Sequence, residues 1–124
     1  MRIFKTRLFN RWAADEKVTD EMLVSAVDEM ERGLIDANLG GHVYKKRIAI
    51  QGRGKSGGVR TIIAYRIEDK AFFVYGFAKN TRPNISADEL KAFKKLASDL
   101  LVYSDAILEQ SIVDGKLFEV MINE

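Results

Sequence analysis

The sequence has no cysteine, and only one histidine, one proline and one tryptophan in 124 residues. Without cysteine there are no disulfides and no thiolate metal ligands, which suits a reducing compartment. His42 alone cannot build a histidine-pair nuclease centre or a histidine-rich metal site. No apolar run approaches the roughly 20 residues of a membrane-spanning helix. The basic start, Met1 to Arg7, lacks the apolar stretch and cleavage site of a signal peptide. The expectation is a cytoplasmic chain, away from membranes, folding as one domain over residues 1–124 and long enough to bury a core unaided.

A local absence says more. From Ala37 to Ile67 there is no aspartate or glutamate, yet Lys45, Lys46, Arg47, Arg53, Lys55, Arg60 and Arg66 all fall there. The formal net charge is only +2, so this segment concentrates positive charge that the rest of the chain balances. Two β-prone runs, Tyr44–Ile50 and Val59–Tyr65, flank a loop of Gly, Arg, Lys and Ser. A hairpin built only for its turn explains glycines at positive φ but not seven cations without an acid. A polyanion, RNA or DNA first, fits better.

Gly54-Lys55-Ser56 matches the end of a phosphate-binding P-loop, but the motif needs a glycine at position 49, which is Ala49. The residues that follow, Val59 to Tyr65, read as a strand, so no helix N-terminus is available to hold phosphates. The P-loop reading fails.

Around the hairpin the pattern is α+β. Arg2–Phe9 reads as a first strand, and Phe9–Glu16 as a short helix with Phe9 and Trp12 on one face. Thr19 is placed as an N-cap, with Asp20 and Glu21 suiting the helix dipole. Met22, Leu23, Ala26, Val27, Met30 and Leu34 recur at helical spacing. Ala71–Ala78 is apolar on both faces, as a central strand is. Ser86-Ala-Asp-Glu89 matches a capping box before a helix whose pattern resumes as far as Val113, and Lys116–Ile122 closes the chain as a strand. The meander of residues 43–79 is expected to be antiparallel, in a small twisted sheet with helices packed on one face.

That order, with Arg47 followed by Gly52-Arg-Gly-Lys-Ser-Gly-Gly-Val-Arg60, Tyr75-Gly-Phe-Ala-Lys-Asn80 and the closing Asp114-Gly-Lys-Leu-Phe-Glu-Val120, resembles the RelE/ParE superfamily of toxins from bacterial type II toxin–antitoxin modules. The likeness spans about three quarters of the chain, though only the hairpin motif is specific. It implies a sheet with a cationic concave face, an antitoxin partner of helix-turn-helix type, and cleavage of mRNA on the ribosome, which inhibits translation. No cofactor or metal is expected.

Carried over residue by residue, Lys45 and Arg47 take the place of the paired basic residues and Arg60 that of the phosphate-clamping arginine. Lys79 and Asn80 take that of the terminal site pair. The resemblance thus implies Lys45, Arg47, Arg60 and Lys79 as catalytic, and Lys46, Arg53, Lys55, Arg66 and Asn80 as RNA-binding. Strand parity puts Lys45 and Arg47 on one side, and Arg60 with Arg66 on one side of the next strand. The sequence departs from the pattern in two ways. Asn80 stands where some relatives have arginine, and the tyrosine or histidine that several relatives carry near the C-terminus is matched only by Tyr103, which reads as helix face. His42 reads as a loop residue without a role rather than one at the hairpin mouth, and Tyr65 and Tyr75 read as core or as base-stacking residues. Two other readings remain open: a ParE-like inhibitor of DNA gyrase, which has no evident need of the cationic loop, and an RNA-binding module without catalysis.

Overall fold

A computed structural model describes residues 1–50 and 54–122, with the backbone alone for 54–56. The chain runs β1 (Arg2–Thr6), α1 (Arg7–Glu16), α2 (Asp20–Glu31), β2 (Ala37–Asn38), β3 (Val43–Ile50), β4 (Gly54–Arg66), β5 (Lys70–Ala78), α3 (Ala87–Leu100), α4 (Asp105–Val113) and β6 (Leu117–Glu119). Among the described residues the strands form one sheet in the order β2-β3-β4-β5-β1-β6. The meander β3-β4-β5 is antiparallel, as expected. The first strand joins β5 in parallel, and that pair makes the otherwise antiparallel sheet mixed.

Local chemistry sets most of the boundaries. Thr6 ends β1 and also caps α1, its side chain accepting from the Phe9 N–H, so the first strand stops three residues short of Phe9. Thr19 caps α2, and Leu23, Ala26, Val27 and Met30 are the stripe that helix buries. Ser86 and Glu89 form the capping box of α3, each bonding to the other's backbone N–H. The long helical pattern after it divides at 101–104, where Ser104 caps α4 anew.

One expectation fails. The helices pack on both faces of the sheet. Ile3, Ala71 and Phe73 join a core with α1 and α2, whereas Phe4, Phe72, Val74 and Phe77 join a second core with α3 and α4. Successive strand residues point to opposite faces, so a β5 that is apolar at nearly every position needs cover on both. Helices on one face would leave Phe72 and Phe77, both buried, in water.

The alternation along β5 has one interruption. Ile63 lies opposite Phe73 and Ile62 opposite Tyr75, so Val74 is an extra residue, a bulge. Val74 and Tyr75 therefore both turn toward α3, and Phe77 follows, while Gly76 turns to the α1 side. There Gly76 meets Trp12 so closely that a Cβ would sit 2.2 Å from its ring.

Candidate functional site

On the α3 side of β3 and β4 the register lines up three cations. Arg47 is directly opposite Arg60, and Lys45 is opposite Ile62, two residues along. Arg60 is opposite Phe77 on its other side, so the row runs Arg47, Arg60, Phe77 across three strands. Like charges placed opposite one another in a sheet repel. Among the described residues no carboxylate pairs with Arg60, or with the side chains of Lys45 and Arg47. Arg60 is only 8% exposed. Its Nη1 is buried without a hydrogen-bond partner. An unmet buried donor costs about 1–3 kcal/mol, and a charged one more, which an anion brought to it would recover.

The end of β5 closes this row. Lys79 and Asn80 are not in the strand but in the exposed turn after Ala78, whose carbonyl accepts from the N–H groups of Thr81 and Arg82. Arg82, not among the residues the sequence singles out, lies with its guanidinium carbon 5.8 Å from the centre of the Tyr75 ring and 5.9 Å from that of Phe77. It donates from Nη1 to the Tyr75 hydroxyl at 3.0 Å and to Glu89 at 2.9 Å, from Nη2 to Glu89 at 2.5 Å, and from Nε to the Asn84 carbonyl at 3.0 Å. The Arg82 guanidinium, with help from Ser86, holds the Glu89 carboxyl down at about 2. The same bonds, Glu89 first, keep Arg82 more firmly protonated than usual.

Three other candidates stand elsewhere. Lys46 faces α2, buried, and its ammonium is 3.0 Å from Glu29 and donates to the Leu34 carbonyl at 3.0 Å. Arg66 shares Arg60's face but ends β4 at its far end, where Nη1 is 3.8 Å from Asp69 and donates to the Leu101 carbonyl at 3.5 Å. His42 is also at that far end rather than at the hairpin mouth. It holds a positive φ of 63° before β3 and lines a hollow of about 340 Å3 with Tyr44, Tyr65 and Glu31. Arg53 and the side chain of Lys55 lie outside the described residues.

The tyrosines sort themselves. Tyr44 and Tyr65 pack edge to face on the α1–α2 side, and the Tyr65 hydroxyl donates to Glu31. Burial, and then that carboxylate, pushes the Tyr65 phenol well above its usual range. Tyr103 sits at the corner between α3 and α4, its N–H donating to the Leu100 carbonyl. Tyr75 alone stands beside the cationic row, its ring 5.5 Å from Phe93 and 6.0 Å from Phe77. Only the bulge at Val74 reveals that placement.

The RelE toxin of the RelE/RelB toxin–antitoxin system is the family whose model matches the chain, over residues 1–120. The chain belongs to the RelE toxin family. Among curated proteins none matches it. As a toxin of this system it has an antitoxin for a partner. No helix among the described residues is long and apolar enough to cross a membrane. The toxin's cationic row sits where the acid-free hairpin places it, and among the described residues no three His, Asp or Glu side chains gather as a metal site would need.

Proposed function

We propose that this toxin halts translation by cutting mRNA on the ribosome, with cations as its chemical means. Arg60 carries the reading. A buried guanidinium with an unmatched nitrogen, opposite a second guanidinium and without a carboxylate among the described residues, is a site prepared for a phosphate. When a ribose 2′-hydroxyl attacks the adjacent phosphate, negative charge builds on the non-bridging oxygens, and preorganised donors there lower the barrier. Arg60 takes the phosphate, Arg47 and Lys45 share its charge from the neighbouring strand, and Lys79 and Asn80 approach from the exposed turn. Arg53 and Lys55 grip the RNA backbone. Free RNA is a poor substrate, because the ribosome supplies the alignment of the 2′-oxygen.

The antitoxin, of helix-turn-helix type, neutralises the toxin by laying an acidic segment on the same face, and the chain acts in the cytoplasm. Expression in cells followed by primer extension on a reporter mRNA tests the proposal. Wild type should leave discrete stops in the transcript, and Arg60→Ala should lose most of them, the guanidinium having no substitute. Growth arrest with intact mRNA and inhibited gyrase would overturn the reading. So would an Arg60→Ala protein as toxic as wild type.

A further inference from the structure

The Tyr75 hydroxyl has a hydrogen that the fold leaves unspent. Its oxygen accepts from Arg82, and a guanidinium can only donate. Among the described residues nothing accepts the phenolic hydrogen in turn. Arg82, by contrast, has four hydrogen bonds of its own, to Tyr75, to both oxygens of Glu89 and to Asn84. It is tied down as a brace. Glu89 is tied down in turn, accepting from the Ser86 N–H at 2.7 Å as part of the cap of α3. The ring is also held by Phe93 and Phe77, so the hydroxyl sits at the end of a supported chain: α3 cap, Glu89, Arg82, Tyr75.

That chain ends one row from Arg60. Arg60 is paired with Phe77 and Ile62 with Tyr75, and the bulge puts Tyr75 and Phe77 on the α3 side together. Residues diagonal across two strands lie about 7–8 Å apart at the backbone, within reach of long side chains. We propose that Tyr75 is the catalytic proton donor of this site, with Arg82 and Glu89 as the positioning residues that aim its hydroxyl. The assignment rests on the endoribonuclease reading given above.

In the step itself the bond between the 2′-oxygen and phosphorus forms and the bond between phosphorus and the 5′-oxygen breaks. The proton of the 2′-hydroxyl passes to solvent. The Tyr75 proton passes to the departing 5′-oxygen, leaving a 2′,3′-cyclic phosphate and a 5′-hydroxyl, and the tyrosinate is reprotonated from solvent. A phenol, with an ordinary pKa near 10, is a far stronger acid than the alcohol it creates, and Arg82 at 3.0 Å steadies the tyrosinate meanwhile.

The test uses ribosomes programmed with an mRNA whose bridging 5′-oxygen at the mapped cut is either oxygen or sulfur. A thiolate leaves without a proton, so sulfur removes the need for a donor. Tyr75→Phe, which keeps the ring, should cut the oxygen mRNA about 100-fold or more slowly than wild type in a single turnover. On the sulfur mRNA the two should match. Glu89→Gln, which slackens the brace, should show a smaller loss that sulfur also erases. Equal rates for wild type and Tyr75→Phe on the oxygen mRNA would overturn the assignment, as would a Tyr75→Phe defect that sulfur leaves intact. A wild type that leaves both mRNAs whole would instead overturn the endoribonuclease reading, and this assignment with it.

Discussion

Adjacent lysines in β3 have opposite surroundings because side chains alternate along a strand. Lys45 faces the cationic row and has no carboxylate partner among the described residues, while Lys46 is buried beside Glu29. Substituting each by alanine separates the two roles. Lys45→Ala should leave thermal unfolding near wild type while slowing mRNA cleavage. Lys46→Ala should lower stability by about 1–2 kcal/mol, since it leaves a half-exposed Glu29 and a carbonyl unmatched, and should cut mRNA normally while folded. Chemical denaturation and single-turnover cleavage, run on both proteins, check the pair. The sequence alone shows two neighbouring cations in an acid-free run. Which of them stays available depends on α2, some 15 residues earlier in the chain, and no local pattern carries that information.

At the scale of elements, α3 is both a cover for the sheet and the anchor of the Arg82 brace. Glu89 is held at about 2, below the ordinary 4.5, so its folded form prefers the charged state. A depressed carboxylate adds stability above its unfolded pKa and loses that contribution as the pH falls through its folded pKa. The melting temperature of wild type should exceed that of Glu89→Gln by a constant margin above pH 5 or so, and the margin should close as the pH drops from about 4.5 toward 2. Melting curves for both proteins across that range decide it. The caps of α2 and α3 were legible because Thr19 and the Ser86–Glu89 pair act within one turn of chain. The bulge at Val74 was not, since it is a mismatch between two strands and nothing in Phe73-Val-Tyr75 marks it. Helices on both faces were implied by a β5 apolar on both sides, yet that inference needs the whole sheet in view. Gly76 tests the packing under the bulge. Gly76→Ala must displace Trp12, whose ring atoms stand 2.2–2.5 Å from the new carbon, and should cost about 1–3 kcal/mol in denaturant unfolding.

For the whole molecule, a net charge of +2 hides a strongly uneven distribution. Binding of single-stranded RNA should weaken as salt rises, with a slope near −0.7 for each phosphate neutralised, and Arg60→Ala should flatten that slope by about 0.7. Titrations at several salt concentrations give both numbers. The antitoxin should meet the same field with acids, since complementary potentials set both approach and register. Lysine acetylation of the toxin, free and in complex, reads this directly. Lys45 should become protected by the antitoxin, whereas Lys95, which pairs with Asp99 on the exposed face of α3, should react equally in both.

Trp12 lies against Gly76 and lines one hollow with Tyr75, Phe77 and Arg82 at the end of β5. Being the sole tryptophan, it gives the protein a single intrinsic fluorophore. Its emission reports on the end of β5, so it should shift to the red as the sheet comes apart and should respond to an RNA or antitoxin segment that reaches Tyr75 and Arg82. A change in that emission when substrate or antitoxin is added would therefore be an optical sign that the end of β5 has been covered or has moved.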